Sequence, residues 1–255
     1  MKYLVCNLKA NKVKKELITY EDSLKNIKTN PNIELIVCPS TPFLFVFQSD
    51  NYKLGAQDIS MYEMGPHTGE NTGEQLASLN VKYALVGHSE RRNLFKEEEQ
   101  TIIQKIKKSY HSHIYPIYFI GEKELDNKLN NTNKVLEQQI SHIINEIPDY
   151  KREKMIIVYE PIWAIGTGVV PTTQDITDRI IFIKKIIKEY YDLTLPVLYG
   201  GSVNENNIIE LNSIDKLDGF VLGESSKESD DLIKIYNTIE KNIWFDKNKH
   251  NAKRS

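Results

Sequence analysis

The sequence contains only two cysteines, Cys6 and Cys38, and each lies beside an apolar, strand-like run. So few thiols favour buried, reduced side chains over a disulfide or a metal pair, and we expect no metal site. The chain also lacks a surplus of basic residues, because 33 lysines and arginines face 35 aspartates and glutamates. This balance leaves no excess charge to neutralise a nucleic-acid backbone, so it favours small-molecule chemistry over nucleic-acid binding.

Long hydrophobic runs are missing as well. The apolar run at the amino terminus is far too short for a signal peptide, and no stretch approaches the length of a membrane span. We therefore expect a cytoplasmic protein with no membrane association. No linker rich in Pro, Gly or Ser divides the 255 residues, so they predict a single domain over 1–246 and a polar, basic tail at 247–255.

The apolar residues alternate between two periods along the whole chain. Short apolar runs, typical of strands, are followed by longer stretches in which apolar residues recur every three or four positions, as in helices. Strand followed by helix, repeated, predicts parallel strands with right-handed crossovers. The predicted strands are 2–6, 33–38, 52–56, 82–86, 114–120, 155–159, 195–199 and 219–222. Eight such units favour a closed (β/α)8 barrel over a doubly wound sheet, whose dinucleotide-binding glycine pattern is absent.

Polar or ionisable residues lie just after several of these predicted strands. Asn7 and Lys9 follow the first strand, His88 and Glu90 the fourth, and Glu160 the sixth. In a barrel the carboxyl ends of the strands form one mouth, where reacting groups converge. Each residue alone has an ordinary explanation, such as a hydrogen-bonded structural histidine or a solvated carboxylate. Together they supply a base, an electrophile and a positive field for a developing oxyanion.

Glycines after the last two strands predict a site for an anion. Ser202 follows Gly200 and Gly201, and Glu224 follows Gly223. Barrels often bind phosphate at these two positions through backbone N–H groups, although ordinary turns with capping serines are an alternative.

An apolar segment with two glycines follows the sixth strand and predicts a lid that closes over the substrate and excludes water. The alternative to a lid is an ordinary connecting segment that packs against the core. The lid residues are Pro161, Ile162, Trp163, Ala164, Ile165, Gly166, Thr167 and Gly168.

These motifs together resemble the triosephosphate isomerase family. The resemblance rests on Asn7, Lys9 and Asn11, and on residues 87–92, 159–168 and 199–203, in the family's order and at its spacing. It implies a TIM barrel that needs no cofactor and interconverts dihydroxyacetone phosphate and D-glyceraldehyde 3-phosphate through an enediol(ate), in glycolysis and gluconeogenesis. Weaker similarity covers nearly the whole chain, including the segments around Gln57 and Glu122.

The resemblance also implies a role for each residue. Glu160 moves the proton, and a neutral His88 donates a hydrogen bond to the substrate oxygens. Lys9 and Asn7 stabilise the enediolate, and Glu90 pairs with the lysine. Backbone N–H groups hold the phosphate, at Gly166, Ser202, Gly223 and Glu224. Family members are usually homodimers, in which a loop after the third strand enters the neighbouring subunit; here that loop contains Thr68, Gly69 and Glu70.

The sequence departs from the family pattern at several positions. Glu224 stands where a second glycine is usual, and a carboxylate that pointed into the site would weaken phosphate binding, whereas one in solvent would change little. Pro171 follows the lid and stiffens its hinge. Phe119 stands where many relatives have cysteine.

Three other functions remain open at this point. The chain could isomerise another short phosphorylated ketose, such as a tetrulose phosphate, because Glu160 and His88 fit both substrates. It could be a lyase or aldolase on the same fold, although the strands offer neither a Schiff-base lysine nor metal ligands. It could also be a catalytically poor barrel that acts as a binding protein.

Overall fold

The structure, a computed structural model, describes residues 1–165 and 170–252. The described residues form eight parallel strands that close into one barrel, in chain order. The strands are β1 Lys2–Asn7, β2 Ile33–Cys38, β3 Lys53–Ala56, β4 Tyr83–Val86, β5 Tyr115–Ile120, β6 Ile156–Tyr159, β7 Val197–Tyr199 and β8 Gly219–Leu222. Tyr3 of β1 pairs with both Glu34 of β2 and Gly219 of β8, which closes the ring. The predicted (β/α)8 barrel is therefore confirmed.

Five of the predicted strands begin one or two residues too early. Their first predicted residues include Tyr52, Ile114, Met155 and Leu195, all of which are buried. These side chains pack into the core before the backbone reaches its neighbouring strand, and burial alone does not require sheet pairing. An apolar pattern therefore marks the buried segment rather than the hydrogen-bonded strand.

Helices cover the outside of the barrel. They are α1 Lys14–Leu24, α2 Gly73–Ser78, α3 Ser89–Leu94, α4 Glu99–His111, α5 Glu124–Lys128, α6 Thr132–Glu146, α7 Asp149–Arg152, α8 Thr173–Tyr191, α9 Ile208–Asn212 and α10 Ser229–Ala252. Short 3-10 turns occupy Thr41–Val46, Ile162–Ala164 and Glu224–Ser226. The first of these turns replaces a full helix between β2 and β3.

A regular amphipathic pattern is clear in α8. Its buried residues include Ile176, Ile180, Ile183 and Ile187, which are spaced by three or four and so lie on one face. The side chain of Thr172 accepts a hydrogen bond from the N–H of Asp175 at 3.1 Å and caps the helix start. The predicted helical spacing is confirmed here.

The core has two layers, because successive side chains of each strand point to opposite faces. One layer fills the barrel, and the other lies between strands and helices. Cys38 belongs to the inner layer, whereas Cys6 on the adjacent strand belongs to the outer layer. Both thiols are free and buried. Burial raises the pKa of each thiol, so both favour the neutral form.

The predicted basic tail at 247–255 overlaps the end of α10, which runs to Ala252, and 253–255 lie outside the described residues. In the part of the chain that the structure describes, no helix has both the length and the apolar character needed to cross a membrane.

Candidate active site

The residues predicted from strands β1, β4 and β6 meet at one mouth of the barrel. Asn7 ends β1, His88 lies two residues after β4, and Glu160 directly follows β6. They line one open cavity of about 970 Å3, together with residues from the loops after β7 and β8. Lys9, Ser202, Gly223 and Glu224 lie on the same cavity wall. The structure therefore brings the predicted catalytic and anion-binding residues together.

Glu160 and His88 are in direct contact. The distance between Glu160 Oε1 and His88 Nε2 is 3.3 Å. The other carboxylate oxygen, Oε2, accepts a hydrogen bond from the backbone N–H of Ser89 at 3.0 Å. Both side chains are buried, with 4% and 8% of the residue surface exposed. A buried carboxylate of this kind is costly unless its oxygens are hydrogen-bonded, and the Ser89 amide meets that need for Oε2.

The hydrogen bonds of His88 indicate its tautomer. Its Nδ1 accepts a hydrogen bond from the N–H of Glu90 at 3.2 Å, in the first turn of α3. A nitrogen that accepts has no proton, so the ring is neutral and its hydrogen lies on Nε2. Nε2 therefore carries the hydrogen; it lies 3.3 Å from Glu160 Oε1, and His88 lines the cavity, where a substrate oxygen would be within reach.

Lys9 has a left-handed backbone conformation, with φ of 50°, which is unusual for a residue with a side chain. Three hydrogen bonds hold it there. The side chain of Asn7 accepts from the Lys9 N–H at 3.1 Å, while Ser40 and Gln57 donate to the Lys9 carbonyl at 2.8 and 2.9 Å. The Lys9 ammonium pairs with the Glu90 carboxylate. Such over-determined strain is concentrated at functional sites, where it aims a side chain.

Two glycines make room around the end of β6, one for the backbone of Glu160 and one for the side chain of Val158. A Cβ at Gly121, which directly follows β5, would lie 1.8 Å from the carbonyl oxygen of Glu160. A Cβ at Gly200, which directly follows β7, would lie 2.7 Å from the side chain of Val158. The close approach of the Glu160 backbone to the end of β5 therefore requires a glycine at position 121. The Glu160 N–H donates a hydrogen bond to the carbonyl of Ile120 at 2.8 Å.

The Glu224 side chain lies at the rim of the cavity and is open to solvent. It is 87% exposed, and its nearest charged partner is Lys227, whose Nζ lies 3.6 Å away. Glu224 begins the 3-10 turn that follows β8. The departure from glycine therefore puts the carboxylate in solvent, the arrangement that leaves the backbone free to line the site.

Comparison with known proteins agrees with this geometry. The family model described as triosephosphate isomerase matches residues 2–239. A triosephosphate isomerase of Clostridium botulinum (strain Langeland) is 34% identical over 239 residues, which is 91% of this chain and 96% of that protein. Those of Alkaliphilus oremlandii and Colwellia psychrerythraea are 32% and 33% identical, over 91% and 83% of this chain and 96% and 87% of the relatives.

The chain belongs to the triosephosphate isomerase family. It is thus a member of a family of aldose–ketose isomerases. The resemblance found in the motifs is confirmed across nearly the whole length.

The described part of the predicted lid is tied to the segment after β5. Trp163 Nε1 donates to Glu122 Oε1 at 2.6 Å, and the Tyr159 hydroxyl donates to the same oxygen at 3.2 Å. Burial raises the pKa of Glu122. The structure also describes the lid residues Pro161, Ile162, Ala164 and Ile165. Outside the described residues lie the other predicted lid residues, Thr167, Gly168 and Gly166, the last of which is also a predicted phosphate-binding residue.

The predicted dimer loop is exposed. Thr68, Gly69 and Glu70 are all accessible in the single chain. Gly69 and Glu70 also line a second hollow of about 380 Å3, which shares Asn7, Lys9 and His88 with the main cavity. The loop and the reacting groups are therefore close neighbours on one face.

Sequence reasoning missed several contacts at this site. The Ser89 amide, the Gly121 clearance and the Gln57 bond to Lys9 gave no chemical signal, because each acts through the backbone. Glu122 did carry a signal, since it follows β5 as the other polar residues follow their strands.

Proposed function

We propose that this chain interconverts dihydroxyacetone phosphate and D-glyceraldehyde 3-phosphate through an enediol(ate), with no cofactor. The observation that carries the proposal is the contact of Glu160 with Nε2 of a neutral His88, at 3.3 Å, in one cavity with Lys9. The carboxylate takes the proton from carbon, and the neutral imidazole polarises the substrate carbonyl by donating a hydrogen bond to it.

The reaction takes two proton transfers at carbon and one between the two substrate oxygens. One oxygen of Glu160 removes a proton from the carbon beside the carbonyl, and that electron pair forms the carbon–carbon double bond of the enediolate. The Nε2–H of His88 donates a hydrogen bond to the oxygens as negative charge moves onto them. The hydroxyl proton of the intermediate moves to the other oxygen, and protonated Glu160 then returns its proton to the neighbouring carbon, which gives the other sugar.

Lys9 and Asn7 stabilise the negative charge of the enediolate, and Glu90 holds the lysine in position. The support is the strained backbone of Lys9, the hydrogen bond from its N–H to Asn7, and the ion pair with Glu90. An ammonium aimed by its own backbone is pre-organised, so it needs no reorganisation when charge develops.

The phosphate binds to backbone N–H groups at Ser202, Gly223 and Glu224, and at Gly166 of the lid. Support comes from the first three residues, which line the far end of the same cavity. The lid, 161–168, closes over the bound sugar and excludes water, which strengthens the electrostatic interactions of the site. The proposed location is the cytoplasm, which the two free thiols fit.

Replacing Glu160 with Asp tests the base. The shorter side chain withdraws the carboxylate from the substrate carbon, so we expect kcat for dihydroxyacetone phosphate to fall about a hundredfold or more, with a smaller change in KM. A coupled assay measures both, and circular dichroism checks the fold. Glu189→Asp, an exposed substitution on α8, is the matched control. Turnover in Glu160→Asp equal to that of the control would remove Glu160 from the mechanism.

Replacing Glu224 with Gly tests whether the unusual carboxylate matters. Because the side chain is exposed and solvent screens its charge, we expect KM to stay the same or to fall by no more than about fivefold. The assay is run at low and at physiological salt, where any gain shrinks as salt rises. A clear loss of affinity would mean that the Glu224 side chain itself assists binding.

We further propose that the chain acts as a homodimer. The support is a match between two features of one face. The segment just before the loop carries exposed Tyr62 and Met64, and the hollow beside the active site is bordered by exposed Leu94 and Phe95. A two-fold interface would bury both features at once, with the loop of each subunit in the hollow of the other.

The dimer is tested with Met64→Glu. A charge in an apolar contact opposes association, so analytical ultracentrifugation should show a shift toward monomer, accompanied by a loss of kcat because the hollow adjoins Lys9 and His88. Tyr190→Glu, at an exposed aromatic of α8, is the control. A wild-type chain that sediments as a fully active monomer would contradict the proposal.

A further inference from the structure

Phe119 is an aromatic side chain at the centre of a largely polar site. It lies near the end of β5, between the strands that carry His88 and Glu160. Only 1% of the residue is exposed, and its side chain belongs to the layer that fills the barrel. It also lines the cavity that Glu160 and His88 share. The ring therefore forms the apolar floor on which the reacting groups rest.

The ring of Phe119 packs against the imidazole of His88. Their centroids are 4.9 Å apart, and the ring planes make an angle of 66°. This is the edge-to-face arrangement that aromatic pairs prefer. The hydrogen bond from the Glu90 N–H restrains only the Nδ1 edge of the imidazole, at 3.2 Å. Phe119 restrains the tilt of the ring, and with it the direction of the Nε2–H.

A single guanidinium fixes the two backbones that carry these rings. Arg92 donates from Nε to the carbonyl of Gly87 at 2.8 Å and from an Nη to the carbonyl of Phe119 at 3.3 Å. The positive charge of Arg92 is balanced by Glu99, whose Oε2 lies 2.5 Å from Arg92 Nη1. A planar guanidinium has its donors in a rigid fork, so it holds the two strand ends at a fixed spacing.

We propose that Phe119 is a positioning residue that acts through His88: its ring holds the imidazole so that the Nε2–H meets the substrate oxygens while Glu160 reaches the carbon. This inference rests on the proposed roles of His88 and Glu160. A side chain without a ring leaves the imidazole free to tilt, and small misalignments of a catalytic group are expensive in rate.

A double-mutant cycle tests the inference, with kcat and KM for dihydroxyacetone phosphate measured in wild type, Phe119→Leu, His88→Asn and the double variant. We expect Phe119→Leu to lower kcat about tenfold in the presence of His88, with KM changed by less than about twofold. In the His88→Asn background the same substitution should change kcat by less than about twofold, because the group it positions is gone.

Ile117→Ala is the control for simple loss of packing. Ile117 lies two residues earlier on β5, is fully buried and belongs to the same inner layer. Thermal unfolding is measured for every variant, and Phe119→Met, which keeps the apolar bulk, replaces Phe119→Leu if the latter does not fold. If Ile117→Ala lowers the thermal stability as much as Phe119→Leu does, we still expect its kcat to equal that of the wild type.

The outcomes separate this inference from the proposed function. Equal kcat losses for Phe119→Leu with and without His88, or an equal loss in Ile117→Ala, would overturn the role of Phe119 and leave the isomerase mechanism intact. Unchanged turnover in His88→Asn would instead overturn the role of His88, and with it the inference.

Discussion

The site depends on one contact that spans a strand. His88 follows β4 and Glu160 follows β6, so β5 lies between them. Neighbouring strands are about 4.8 Å apart, which puts the two backbones roughly 10 Å from each other, too far for direct contact without long side chains that lean inward. They meet at 3.3 Å because the end of β5 does not obstruct them. Gly121 leaves space for the carbonyl of Glu160, and Phe119 fills the volume below.

The electrostatics of the site follow from that packing. A buried carboxylate must be satisfied; one oxygen of Glu160 accepts a hydrogen bond from the Ser89 amide, and the other lies against the His88 ring. Both partners come from one short segment, since His88 precedes α3 and Ser89 begins it. Lys9 sits opposite with its charge balanced by Glu90, the residue whose N–H also fixes the His88 tautomer. Base, electrophile and cation are thus linked through the first turn of α3.

The fold could be predicted because its signals are local. Alternating strand and helix periods need only neighbouring residues to be read, and Lys2–Asn7 and Gly219–Leu222 follow that pattern closely. The meeting of Asn7, His88 and Glu160 in one cavity could be predicted from position alone, because in a closed parallel barrel every strand end reaches the same mouth.

Contacts between residues that are far apart in the sequence could not be predicted. The contact of Phe119 with His88 depends on the register of β4 against β5, which pairs Val86 with Tyr118. The strain at Lys9 depends on Ser40 and Gln57, which lie 31 and 48 residues away. The direction of Glu224 depends on the 3-10 turn that starts at that residue. No local pattern specifies such distances.

The most direct test of the account is the fate of the carbon-bound hydrogen. Purified protein is incubated with dihydroxyacetone phosphate in D2O, and the D-glyceraldehyde 3-phosphate formed early is examined by proton NMR. A carboxylate that carries the proton through an enediolate exchanges part of it with solvent, so the account predicts deuterium at carbon 2 of the product. Complete retention of the original hydrogen, as in a direct hydride shift between the two carbons, would contradict it.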